Sequence, residues 1–348
     1  MTAIFEMGSV PCDVCQRALT SNRTAGRIEK MSESVDGKKV CVIGGAGFLG
    51  SHLVNYLIEE RNCEVLVLDN LISGFKKHVH KKAEFGWFDI RDDEHELIGI
   101  LKSHQTEYLF NYAAEPYIPE CFERPKHFFT INAVAVLNVL NACQKVGIKK
   151  ILQVSSAEIY GDMKGKIKES DMVVAHSTYG VSKLAADGLV QVRWREAGVP
   201  AIAMRQFNCI GERETHAYVV PEIITQLAEG PVVHLGNNSF RDFQYAGDAV
   251  RMAVELLEKG QPGEVYNMGS EEGTKIYDLA HLIGRLMGHE KTEIVVDQKR
   301  VRPWEIWHLQ SDNTKLYSAI SYRPKVHLEE ALKRTIKYFL DNGKKWDF

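Results

Sequence analysis

The 348-residue sequence lacks any apolar run long enough to span a bilayer, and its N-terminus has no apolar core of the secretory type. A membrane-embedded or secreted protein is therefore not expected, and the expected location is the cytoplasm. Charge of one sign is also scarce: 43 Lys and Arg against 46 Asp and Glu leave a net charge of -3. That balance offers nothing to nucleic acid or to an anionic membrane surface, so the ligand must be argued from a site. Seven cysteines, at positions 12, 15, 41, 63, 121, 143 and 209, are odd in number and irregular in spacing, which argues against a disulfide framework. Most of them read as small buried hydrophobes. Cys12 and Cys15 form a CxxC, but no second CxxC or His pair follows at zinc-finger spacing, so no metal is expected. Internal repeats and low-complexity tracts are absent, and 45% hydrophobic with 26% charged residues is ordinary globular composition.

What is present is organised around Lys38 to Asp69, KKVCVIGGAGFLGSHLVNYLIEERNCEVLVLD. A short β-branched run, Lys39 to Ile43, stops at Gly44 and Gly45, and Phe48, Leu53 and Leu57 then recur at helical spacing. Gly44, Gly47 and Gly50 stand three apart. That spacing lets the chain turn tightly, lets a pyrophosphate approach the main chain, and lets the helix pack close on the strand, with free N–H groups facing the phosphates. Asp69 closes a second strand 19 residues after Gly50, where a carboxylate accepts hydrogen bonds from a ribose 2′-hydroxyl and repels a 2′-phosphate. A dinucleotide site for NAD rather than NADP is expected, with Gly44, Gly47, Phe48, Leu49, Gly50, Asp69 and Asn70 on its cofactor side.

Residues 1–37 are polar and without periodicity, and read as a poorly ordered extension. From Lys38 to residue 210 the pattern alternates as in a Rossmann-type, doubly wound parallel sheet. Strands are expected at Ala83 to Ile90, Tyr108 to Ala113, Lys150 to Ser155 and Ala201 to Phe207; helices at Asp93 to His104, Pro125 to Gly147 and Thr178 to Glu196. After Gly211 the elements shorten into a smaller α/β substrate lobe, residues 211–348. It has helices near Pro221 to Glu229, Asp248 to Lys259, Ile276 to Met287 and His327 to Asn342, and strands Val232 to Leu235, Val265 to Met268 and Thr292 to Val296. The boundary is soft, since the chain can cross back to the first lobe.

The densest polar chemistry follows the fifth strand: Ser155-Ser156-Ala157-Glu158-Ile159-Tyr160-Gly161, then Tyr179-Gly180-Val181-Ser182-Lys183 at a helix start. In parallel sheets ligands bind beyond the carboxyl ends of the strands. Tyr179 and Lys183 share one helical face, where an ammonium favours the phenolate and makes the tyrosine a usable base. His176, Glu120 and Cys121 lie near by sequence, with packing the better reading for Cys121. Trp304 and Trp307 are expected to pack in the lobe rather than to stack on a base.

At these residues the chain resembles the extended short-chain dehydrogenase/reductase family, in particular its nucleotide-sugar epimerases, dehydratases and decarboxylases. The likeness runs from about Lys38 to the C-terminus through the glycine trio, Asp69, Asp89-Ile90, Asn111-Tyr112-Ala113-Ala114, Ser156, Tyr179-x-x-x-Lys183, Arg241-Asp242-Phe243 and Arg302-Pro303. It implies that Asp89 and Ile90 flank the adenine, that Ala113 and Ala114 lie along the pyrophosphate side, and that Lys183 meets the nicotinamide ribose. Glu115, Asn208, Arg241 and Arg302 would contact a nucleotide-diphosphosugar, and Ser156, Glu158, Tyr179 and Lys183 would be catalytic. Glu158 directs the choice of reaction, because simple 4-epimerases of this family usually carry an apolar or small residue there. A carboxylate suggests removal of the carbon 5 proton after oxidation at carbon 4, then loss of the carbon 6 hydroxyl, which is 4,6-dehydration. The dTDP-glucose enzymes have an Asp-Glu pair at this point, and here the Asp position is Ala157. A 4-epimerase, a UDP-glucuronate decarboxylase and, more distantly, a non-catalytic NAD-binding sensor are the alternatives. The resemblance also implies a homodimer paired through the helices Pro125 to Val146 and Thr178 to Glu196.

Overall fold

Alternation of apolar residues along each strand, with helices following in turn, sorts this chain into layers. The computed structural model describes residues 34–301, 304–346 and 348; the CxxC of the extension and Arg302-Pro303 lie outside them. Seven parallel strands form the main sheet: β1 (Lys39–Ile43), β2 (Glu64–Asp69), β3 (Glu84–Trp87), β4 (Tyr108–Asn111), β5 (Lys150–Ser156), β6 (Ala201–Gln206) and, later in the chain, β10 (Val265–Met268). Their order is β3-β2-β1-β4-β5-β6-β10. Between β6 and β10 come β7 (Asn208–Ile210), β8 (Val232–Leu235) and β9 (Phe240–Tyr245). β10, expected in the substrate lobe, pairs with β6 and extends the main sheet, as Val265 opposite Ala203 shows.

The pleat sends alternate side chains to opposite faces. Val40, Val42, Val65, Val67, Tyr108 and Phe110 face one layer, built by α1 (Phe48–Glu59) and the later helix Ala246–Lys259. Cys41, Ile43, Leu66, Leu68 and Leu109 face the other, built by α2 (Glu94–His104), α4 (Ala135–Val146) and α5 (Thr178–Ala197), while α3 (Pro125–Phe129) packs Phe128 against Tyr179 of α5. Of the described cysteines, Cys41, Cys63, Cys121 and Cys143 are buried and Cys209 is half-buried. Val35, upstream of the first strand, is also fully buried in the first layer. Local signals set the helix ends: Asp93 caps α2 by accepting from the His95 N–H, Ser177 caps α5 by accepting from the Gly180 N–H, and Gly147 and Gly198 close α4 and α5 in the left-handed conformation. Between α3 and α4 the turn widens to a π-helix over Thr130–Val134, so the long helix expected from Pro125 to Gly147 carries a bulge.

A second core lies beyond the carboxyl ends of the strands. It packs α6 (Val219–Glu229), β8, α8 (Ile276–Leu286) and α9 (Leu328–Asp341), where α7 is the helix Ala246–Lys259 of the first layer. β9 carries β11 (Gly273–Lys275) and β13 (His308–Leu309) on either side and also pairs with β7, while β8 pairs with β12 (Glu293–Val296). Trp304 and Trp307, expected to pack, are 72% and 52% exposed, because the loop before β13 turns Ile306 inward and leaves the tryptophans outside. Among the described residues no helix is long and apolar enough to cross a membrane.

One buried histidine on α1 ties stability to pH. The His52 Nε2–H donates to the Glu212 carbonyl at 2.8 Å. Burial, helped by the Arg213 charge, lowers its pKa from 6.5 to about 3. The folded imidazole thus stays neutral where the unfolded one takes up a proton. Its contribution is complete above pH 6.5 and fades as pH falls toward 3, by about 1.4 kcal/mol per unit. Denaturant titrations at pH 6.5 and 5 should show the wild type losing about 2 kcal/mol more than His52→Gln over that interval; equal losses would contradict this reading.

Candidate active site

The site begins where backbone meets backbone. An added Cβ at Gly50 would stand 2.0 Å from the Gly44 carbonyl oxygen, and one at Gly44, where φ is +78°, would stand 2.6 Å from the Ala113 nitrogen. These glycines let α1 and the segment after β4 close on the end of β1. At Gly47 a Cβ would meet only the Gly44 oxygen, at 3.4 Å. Gly47 is also the N-cap of α1, with no side-chain cap and no acidic residue in the first turn, so the helix's first N–H groups face a space fit for phosphate. At the end of β2, Asp69 is 7% exposed, and its carboxylate accepts from the N–H groups of Ala46 at 2.9 Å and Leu71 at 2.8 Å. Burial raises its pKa and those N–H bonds oppose the rise. Next door Asp89 is held well below the usual carboxylate range by Arg91 and Asn70. These groups fit a dinucleotide, with helix N–H groups for its pyrophosphate and Asp69 for a ribose.

One cavity of about 770 Å³ runs across the carboxyl ends of the strands. Gly44, Gly47, Phe48, Leu49, Gly50, Asp69, Asn70, Asp89, Ile90, Ala113 and Ala114 line it on the side expected for the cofactor. Glu115, Ser156, Glu158, Tyr179, Lys183, Asn208 and Arg241 line the rest. Arg302 lies outside the described residues. His176, Glu120 and Cys121 are not among its lining; Cys121 packs with Ile118, Phe128 and Tyr179, and Glu120 pairs with Arg124 at 3.2 Å.

The reacting end is set by β5 and α5. The Ser156 hydroxyl caps a 3-10 turn, Ala157–Tyr160, by accepting from the Glu158 N–H at 3.2 Å. The start of α5 abuts that turn, since an added Cβ at Gly180 would stand 3.1 Å from the Glu158 carbonyl. Tyr179 is therefore brought beside Glu158. Burial is the main cause that raises the Tyr179 phenol; the Ser156 hydrogen bond lowers it and the Glu158 charge raises it further. The expectation that Lys183 would lower the phenol is not met in this arrangement. Its ammonium donates to the Val154 carbonyl at 3.1 Å, 6.0 Å from the Tyr179 ring centre, and burial brings its own pKa down to about 8 against the opposing pull of Asp187.

Several site features were hidden in the sequence. Glu115 is clamped by Asn132, which accepts from its N–H at 2.9 Å and donates to its carbonyl at 3.0 Å from within the π-helix. The Glu115 carboxylate pairs with His127 at 3.2 Å. Arg241 pairs with Glu305 at 3.2 Å, and Asn237 donates to the other oxygen of Glu305 at 2.7 Å. Glu214, Thr215, His216 and Tyr218 also line the cavity, and Tyr117 stacks on His216 with ring centres 5.6 Å apart. The polar run Glu214-Thr215-His216 ahead of an amphipathic helix was the available signal for this group. Buried Ser155 Oγ, Gln206 Oε1, Asn208 Oδ1 and Glu214 Oε1 all belong to cavity-lining residues and have no hydrogen-bond partner among the described residues.

Residues 40–269 match the model of the NAD dependent epimerase/dehydratase family. The mouse dTDP-D-glucose 4,6-dehydratase is 29% identical over 323 residues, 89% of this chain and 90% of its own. The UDP-glucose 4-epimerase of Thermotoga maritima, solved with UDP-glucose, superposes with a TM-score of 0.81 at 31% identity and covers 87% of this chain and 99% of its own. The dTDP-glucose 4,6-dehydratase of Streptomyces venezuelae, solved with NAD bound, superposes with a TM-score of 0.81 at 25% identity and covers 89% and 99%. Epimerases and dehydratases thus stand at similar distances.

The position of Asp69 makes a binding prediction. Titration of the apo protein should show NAD binding at least about tenfold more tightly than NADP, because a 2′-phosphate would approach a buried carboxylate. Asp69→Asn, which removes the charge and keeps an acceptor for one of the two N–H groups of Ala46 and Leu71, should shrink that ratio. NADP binding as tight as NAD in the wild type would refute the assignment.

Proposed function

Because the chain belongs to the NAD dependent epimerase/dehydratase family, with NAD as cofactor, we propose that it is a nucleotide-diphosphosugar 4,6-dehydratase, which turns a hexose into its 4-keto-6-deoxy form. The observation that carries this reading is Glu158, a carboxylate on the cavity wall whose charge is felt by the Tyr179 phenol. NAD, when bound, supplies the acceptor for the carbon 4 hydride and its return to carbon 6. The side chains do the rest. Tyr179, hydrogen-bonded to Ser156, meets the carbon 4 hydroxyl as a phenol whose proton shifts as the carbonyl forms, and Lys183 places positive charge beneath it. Glu158 takes the carbon 5 proton, which the neighbouring ketone acidifies. Arg241, fixed by Glu305, faces the diphosphate.

A 4-epimerase is the second reading, favoured by the 31% identity to the Thermotoga maritima enzyme. Epimerisation needs Tyr179 but no base at carbon 5, so Glu158 separates the two reactions. In heavy water, Tyr179→Phe should stop oxidation at carbon 4. Glu158→Gln should still allow reversible oxidation while slowing deuterium entry at carbon 5 and water loss by on the order of a hundredfold to ten-thousandfold. Wild-type exchange and elimination in Glu158→Gln would remove Glu158 as the base, and a wild type that inverts carbon 4 without losing water would transfer the assignment to the epimerase.

The protein is also proposed to act as a homodimer. Phe129, Val134 and Val181, on the helices expected to pair, are 39%, 51% and 46% exposed. Large apolar side chains left exposed on these helices favour a partner surface. Light scattering should give a dimer at micromolar concentration and a monomer for Val134→Asp with Val181→Asp; a monomeric wild type would contradict the pairing.

A further inference from the structure

We propose that Glu214 is the proton donor for the hydroxyl that leaves sugar carbon 6, the acid that the Glu158 turn lacks because Ala157 stands beside it. The inference rests on the dehydratase reading. Hydroxide is a poor leaving group, and its departure as water needs an acid on the cavity wall. Ala157 is 1% exposed and apolar, so the fifth strand's turn provides only Glu158. The other carboxyls along the cavity are engaged: Asp69 with the Ala46 and Leu71 N–H groups, Asp89 with Arg91, Glu115 with His127, Glu305 with Arg241 and Asn237, and Glu222 with Arg300.

Glu214 differs from these in every respect that matters. It sits on the loop between β7 and α6, is 1% exposed, and lines the same cavity as Glu158 and Tyr179. The Gly211 N–H bonds its carboxyl, while Oε1 has no partner among the described residues. No salt bridge joins it to a cation among the described residues, and burial raises its pKa well above the ordinary value, which favours the protonated carboxyl. Tyr218, four residues on, feels the charges of Tyr179, Glu214, Glu115 and Tyr117, which ties the Glu214 corner to the reacting end. A buried carboxyl with no cation beside it among the described residues, on a residue that lines the cavity, has the character of a general acid.

On the 4-keto sugar the step balances. Glu158 takes the carbon 5 proton, and that bond's electron pair becomes the carbon 5–carbon 6 double bond. The carbon 6–oxygen bond breaks with its pair on oxygen, which takes the Glu214 proton and leaves as water. Glu214, now a carboxylate, regains a proton from solvent as product leaves.

The test uses the full chain with NAD bound and UDP-glucose, dTDP-glucose and GDP-mannose as probes. Glu214→Gln should exchange carbon 5 hydrogen with heavy water within about threefold of wild type, yet lose water at least about a hundredfold more slowly. The 6-deoxy-6-fluoro analogue of the accepted probe should restore elimination to near the wild-type rate, since fluoride leaves without a proton. A merely structural role would slow both leaving groups alike, and that result, or wild-type water loss in Glu214→Gln, would overturn the proposal. If Glu214→Gln does not fold, Glu214→Asp should show the same fluoride-against-hydroxyl split, smaller in size, and no split would again overturn it. A wild type that binds the probes but loses water from none of them refutes the dehydratase reading itself, and this proposal with it.

Discussion

Everything at this site depends on main chain touching main chain at Gly44 and Gly50. With no side chain at either position, the first helix lies against the end of β1 and the segment after β4 lies against the glycine turn. A methyl group at Gly50 would overlap the Gly44 carbonyl. Because that contact is closed, the uncapped N–H groups of α1 look outward into the cavity, Asp69 is anchored by the Ala46 N–H, and Ala113 and Ala114 are brought to the same wall. The parallel sheet then does for β5 and β6 what the glycines do for β1: each strand ends on the same side, and each delivers its next residues to one cleft.

The second constraint is electrostatic. The cleft is lined by the acids Glu158, Glu214, Tyr179 and Tyr218, and burial draws the pKa of Lys183 down to about 8. Burial raises the pKa of both phenols and of Glu214. Such a wall suits chemistry in which protons move between carbon, oxygen and carboxyl. Arg241 and Arg300 also line the cavity, each matched to a carboxylate.

Local patterns made the nucleotide half of this protein legible. The glycine spacing, Asp69 at a strand end and Tyr179 four residues before Lys183 are short-range signals, and the cavity gathers all of them. Strand and helix positions were close, because the apolar runs of β1 and β2 and the capping serine and closing glycine of α5 are local signals. Contacts between distant segments were not legible. That β10 belongs beside β6 follows from long-range pairing, as do the clamps of Asn132 on Glu115 and of Glu305 on Arg241. The charge state of Tyr179 was misjudged for the same reason: spacing placed Lys183 on its face of the helix, but depth, which sequence does not state, decides that burial dominates. Glu214 was passed over because one acid in a polar loop looks solvated until the fold buries it.

The central claim is that this chain removes water from a nucleotide-diphosphohexose. Its most direct test is to incubate the wild-type protein and NAD with separate nucleotide sugars, including UDP-glucose, UDP-glucuronate, dTDP-glucose and GDP-mannose, and to weigh the products by mass spectrometry. The account predicts one sugar nucleotide lighter by a single water, with no net consumption of NAD. Products of unchanged mass but altered configuration, or products lighter by carbon dioxide, would contradict it.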